Sequence, residues 1–195
     1  MAKRKPPNDN DRFPLVSASF PEYEALRVAR KQTALNPIEL HQKLPKPPYI
    51  GRTDLRHSIE GRDCYLEAEI ADLQILKYSL KIFAESFGQA PCIRFCSRSS
   101  DHVNEETGDG LPRRIVVSPH FHKVDNDGWM RAYHGRHLDS ARKRAAVQKS
   151  VTLGTKRFCQ EFNVVSPSGG VVVLKQITDS MRLSTSGAMD SAKFP

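Results

Sequence analysis

The side chains best able to do chemistry lie close together, between Arg114 and His134, in the run RIVVSPHFHKVDNDGWMRAYH. The run holds the only tryptophan and a His120-x-His122 pair. Two imidazoles that change charge near neutral pH, beside an arginine, are what acid–base cleavage of RNA without a metal requires. His120 and His122 would be acid and base, with His102 beside them. The same pair on a strand aims two ligands one way, so zinc is an alternative, completed by His102, His134 or Asp101. Binding without chemistry is the third use. Arg131 can fork onto a phosphate, and Trp129 and Tyr133 can stack on bases, at about 1–3 kcal/mol per stack. Histidines two apart on a strand are also commonly plain surface or hydrogen-bonded residues, and that reading stays open.

A hairpin has to position these groups. Residues 114–124 alternate, with Ile115, Val117, Pro119 and Phe121 on one side and Val116, Ser118, His120, His122 and Val124 on the other. Asp125-Asn126-Asp127-Gly128 suits the connection, with glycine where a positive φ is needed. If Val124 opposes Trp129, then His122 opposes Arg131 and His120 opposes Tyr133. That register predicts a working face of His120, His122, Trp129, Arg131 and Tyr133, with Met130 and Ala132 on the Phe121 side. A slip of one residue reverses half of it, and Pro119 is a natural place for a bulge.

Charge points to the partner. The 195 residues carry a net +8, concentrated unevenly. Residues 131–157 hold eight Lys/Arg against the single acid Asp139. Within them, 138–149 suits a basic helix capped by Asp139 or Ser140, which makes Arg142, Lys143 and Arg144 candidate phosphate contacts. A solvated helix face is the plainer account of the same cluster.

The remaining elements are coarser. Eight of the thirteen prolines fall in residues 1–50, which predicts a basic, Pro-rich arm with short helices from Pro21 to Leu35 and from Asn36. Strands are expected at 64–70, 76–85 and 92–98, with helix the alternative for 76–85. A helix over 155–163 would bury Phe158, Cys159 and Phe162, and a last strand would lie near 171–174. Mean hydropathy is −0.52, and no apolar run is long enough to span a membrane. The first residues, MAKRKPP, lack the apolar core of a secretory signal. Four cysteines without zinc-knuckle spacing fit a reduced, cytoplasmic protein.

The order of motifs from Pro91 to Val164 carries a resemblance. Pro91-Cys92-Ile93-Arg94-Phe95 is followed by His102-Val103-Asn104, Pro119-His120-Phe121-His122, Trp129-Met130-Arg131-Ala132-Tyr133 and Phe158-Cys159-Gln160-Glu161-Phe162-Asn163-Val164. This resembles a family of small bacterial and phage-borne proteins, a domain of unknown function with a His-x-Asn, Pro-His-x-His, Trp-Ala pattern, the last spaced in this chain as Trp-x-x-Ala. Cys96 stands where that pattern expects an acid, and Met130-Arg131 separates Trp129 from Ala132. The resemblance implies that His102, Asn104, His120 and His122 form one unit, in a mobile-element or defence setting. It implies no activity.

The expected architecture is α+β. A mainly antiparallel sheet of about five strands occupies 51–165, with C-terminal helices on one face. A Pro-rich N-terminal arm (1–50) precedes it, and a strand, turn and mobile tail (166–195) follow. The expected function is nucleic-acid association through the hairpin and the basic helix. The alternatives are a ribonuclease or phosphodiesterase toxin using His120 and His122, or an interaction module that docks a protein through residues 1–50. No cofactor is called for unless zinc binds His120 and His122, and no membrane partner is expected.

Overall fold

The structure is a computed structural model, and it describes residues 12–42, 48–59, 63–104 and 114–177. In chain order the elements are α1 (Pro14–Ala18), α2 (Phe20–Val28), β1 (Lys31–Thr33), β2 (Ile38–Gln42), β3 (Tyr49–Arg56), β4 (Cys64–Asp72) and β5 (Lys77–Ala84). There follow β6 (Ile93–Cys96), β7 (His102–Asn104), β8 (Arg114–Val116), β9 (His120–Val124) and β10 (Met130–Tyr133). The last are α3 (Ala141–Gln148), α4 (Val151–Glu161), β11 (Val164–Val165) and β12 (Leu174–Gln176).

The class is α+β with a mostly antiparallel sheet, but among the described residues the sheet has ten strands rather than about five. Its order is β10-β9-β6-β5-β4-β3-β1-β11, with β2 pairing β3 and β12 pairing β2. The two parallel pairs, β1 with β11 and β2 with β12, join the beginning of the described chain to its end. β7 and β8 form a separate two-stranded ribbon.

Alternation explains the sheet. Leu66, Ala68 and Ile70 of β4, Tyr78, Leu80 and Ile82 of β5, and Ile93 and Phe95 of β6 are buried on one face, as side-chain period two requires. Helices close that face. Phe162, at the end of α4, sets its ring 5.7 Å from Phe121, and Phe158 lies 5.0 Å from Phe162. Tyr23 of α2 donates to the Cys92 carbonyl and accepts from the Val124 amide. Ser140 and Ser150 cap α3 and α4, accepting from Lys143 N and Leu153 N.

Residues 12–42 are woven into this body. The helix expected over 21–35 ends at Val28, and the helix expected from Asn36 is the strand β2. Ile38 and Leu40 are buried with Glu39 exposed between them, so pairing to β3 and β12 overrides the Asn-Pro helix start. Lys31 is fully buried, and its ammonium donates to the carbonyls of Arg27, Ala29 and Phe162, at the ends of α2 and α4. α1 sits on the hairpin turn, where the Phe13 amide donates to the Gly128 carbonyl at 2.6 Å. Gly128 has φ +82°, and a Cβ there would meet the Phe13 carbonyl, so glycine is required twice over. The first eleven residues of the expected Pro-rich arm, residues 43–47 and the tail from 178 lie outside the described residues. No helix among the described residues is long and apolar enough to cross a membrane.

Candidate functional site

The strand expected over 114–124 is two pieces. Pro119 offers no amide to a ladder, and the chain divides there between β8, in the ribbon, and β9, in the main sheet. β9 pairs with β6, so Arg94 faces His122 and Cys96 faces His120. On its other side Ala132 of β10 faces His122. The ribbon brings up the third imidazole. Asn104 donates to the Ala132 carbonyl at 2.8 Å and accepts from the Ala132 amide at 3.0 Å, satisfying backbone groups on the edge strand and fixing β7 against it. His102 thereby reaches the other two rings.

The three rings converge. Centroids are 4.5 Å apart for His120 and His122, 5.1 Å for His102 and His122, and 6.1 Å for His102 and His120. His120 and His122 are buried, and His102 is half-buried. His120 lies 3.4 Å through Nδ1 from the Val117 carbonyl and 3.5 Å through Nε2 from the Ser99 hydroxyl. A guanidinium Nη2 of Arg94 donates to His122 Nε2 at 3.3 Å. His102, Asn104, His120 and His122 are therefore one spatial unit, with Arg94 as a member that sequence reasoning missed. Alternation did place Arg94 outward from Ile93 and Phe95, but its cross-strand neighbour depends on pairing.

Burial pushes His120 down to about 4, only partly offset by its bond to Val117. Burial and then the adjacent Arg94 push His122 far down. Both rings are neutral at physiological pH, so the free protein offers bases here rather than an acid–base pair. Among the described residues no three His, Cys, Asp or Glu side chains are arranged to hold a metal ion, so the zinc alternative finds no third ligand for His120 and His122. The buried thiols are pushed up, Cys92 and Cys159 each to about 12.

The hairpin register is one residue off the expected one. Met130 opposes Val124, and Ala132, not Arg131, opposes His122. The connection uses five residues, closed by Asp125, whose carboxylate accepts from the amides of Asp127 and Trp129 and from Arg131 Nε. The extra residue sends Trp129, Arg131 and Tyr133 to the face opposite the histidines. There Arg131 is held by Asp125 at 2.6 Å. Tyr133 packs against Phe121, and the Arg12 guanidinium lies 5.7 Å from the Trp129 ring. These three side chains are engaged within the fold, and the expected working face does not form. The basic helix does form. Arg142 and Lys143 are exposed, with Lys143 near Asp139, while Arg144 turns in to the Leu138 carbonyl. Gln148, at the end of α3, donates to the Ser118 carbonyl, so that helix abuts the turn beside His120.

Comparison with known proteins finds no matching family, curated protein or solved structure.

Proposed function

We propose that the chain is a nucleic-acid-associated protein that contacts the phosphate backbone through the cationic surface of α3 and α4. The observation that carries this reading is the exposure of Arg136, Arg142, Lys143, Lys149 and Lys156 in a segment with one acid, Asp139. Such a surface releases counterions from a polyanion and reads no sequence. The hairpin no longer contributes stackers to the reading. A cytoplasmic, mobile-element or defence setting goes with it, through the resemblance to the bacterial and phage-borne family, as does a protein partner for residues 1–50.

Fluorescence anisotropy with labelled single-stranded RNA and duplex DNA tests it. Binding should weaken steeply between low and moderate salt. Changing Arg142, Lys143 and Lys149 together to Gln should lower the log–log salt slope by about 2–3. Binding that is flat in salt, or absent at micromolar protein, removes the reading.

Phosphodiester cleavage is the second reading, favoured by the convergence of His102, His120 and His122 with Arg94. One imidazole would take the proton of an attacking 2′-hydroxyl. The imidazolium so formed would give that proton to the departing 5′-oxygen as its bond to phosphorus breaks. His122→Ala should then relieve growth arrest caused by the expressed wild type, and an equally harmless wild type argues against cleavage.

A further inference from the structure

A pair of donors beneath the ribbon lacks acceptors among the described residues. Guanidinium groups only donate, so His122 Nε2, bonded to Arg94, must be the accepting nitrogen. The proton of the neutral ring is therefore on Nδ1. That N–H is buried and has no partner among the described residues, and the same holds for Arg94 Nε. Two unsatisfied buried donors on touching side chains are an exception in a folded protein. The charge is unbalanced as well. The carboxylates on this sheet face are committed elsewhere: Glu67 to Arg52 and Lys81, and Glu69 to Lys81. Neither pairs with Arg94, nor does any other described carboxylate. Among the described residues this half-buried guanidinium has no counter-ion, and beside the His122 ring, with His120, His102 and the Ser99 hydroxyl grouped around it, it presents donors and positive charge with no anion to receive them.

We propose that Arg94 and His122, with His120, His102 and Ser99 around them, form a binding site for one tetrahedral phosphate group. Arg94 supplies the charge and a fork that suits phosphate oxygens. His122 Nδ1–H supplies a neutral donor, and Ser99 a hydroxyl. Asn104 is the positioning residue, because it fixes the ribbon that carries His102. The site does not depend on the α3–α4 surface: polyanion binding there can fail while phosphate binds here.

The test is isothermal titration of the full chain with inorganic phosphate, followed by competition with a mononucleotide and with a dinucleoside monophosphate. Saturable one-to-one binding is expected, weakened about tenfold or more by Arg94→Gln, the range of a charge-assisted hydrogen bond. Arg94→Lys should retain part of it. Nitrogen-15 NMR of the imidazoles gives a readout that a merely structural role would not move. The His122 Nδ1–H resonance should shift on phosphate addition in wild type and not in Arg94→Gln. Displacement of phosphate by the dinucleotide supports a diester as the natural source, and displacement by the mononucleotide alone supports a monoester. No saturable binding at millimolar phosphate, or equal binding by wild type and a folded Arg94→Gln, overturns the proposal. An unshifted His122 resonance with phosphate bound overturns it too.

Discussion

Neighbouring residues on β9 meet two different environments. Phe121 points toward the helices, where its ring lies 5.4 Å from Phe95 and 5.7 Å from Phe162. His120 and His122 point away, under the two-stranded β7–β8 ribbon, among an arginine, a serine and a third histidine. Both sides are buried, so burial does not distinguish them. Satisfaction does. The helix side also holds a buried cation, Lys31, whose ammonium reaches three carbonyls. The ribbon side holds Arg94 and His122, each with a donor left over. One side is built for stability. The other carries polar groups that folding alone does not repay.

The largest effect should come from the helix side. Phe121→Ala removes an aromatic ring from a closed cluster and is expected to cost about 3–5 kcal/mol in denaturant unfolding. Gly154→Ala belongs to the same class. A Cβ at 154 would run into the Tyr78 hydroxyl, which donates to the carbonyls of Val147, in α3, and of Ser150, between α3 and α4. Urea unfolding of both variants checks the size, and a loss below about 1 kcal/mol would show that the cluster relaxes freely.

The next effect belongs to the histidines. The folded His120 is depressed to about 4 from its ordinary 6.5, so between those values the unfolded chain binds the extra proton. Stability is full above pH 6.5 and falls as pH drops toward 4, by about 3 kcal/mol from this residue, with a contribution of the same sign from His122. Unfolding midpoints between pH 7 and 4 measure it. His120→Asn should flatten the slope by one proton, and an unchanged slope would mean that His120 is not buried as a neutral ring.

Much of the helix side was legible in the sequence, because its signals are local. Period two over Tyr78, Leu80 and Ile82 resolved β5. The spacing of Phe158, Cys159 and Phe162 marked the buried face of α4. Ser140 was recognisable as a cap, and Gly128 as a turn residue with positive φ. The grouping of His102 with His120 and His122 came from motif order. The pairing of Arg94 with His122 was out of reach, because it belongs to two strands joined across a long loop. The hairpin register failed on one residue of turn, which reversed Trp129, Arg131 and Tyr133 together. β1 and β2 were missed because three and five residues make strands only when β11 and β12 return to pair with them.

The smallest expected effect tells most about the two sides. Lys31→Met and Arg94→Met each replace a buried or half-buried cation with an apolar chain of similar length. At Lys31 the change strands three carbonyls, and a loss of about 2–4 kcal/mol is expected. At Arg94 it removes a charge and a donor that have no partner among the described residues, except for the bond to His122 Nε2, which is left without its partner. Stability should stay within about 1 kcal/mol of wild type, or rise. Chemical denaturation of the two variants side by side decides the matter. If Arg94→Met costs as much as Lys31→Met, then Arg94 is a structural residue and the contrast between the faces collapses. A neutral or stabilising result means that Arg94 is held against the preference of the fold, which is what a side chain reserved for a ligand should do.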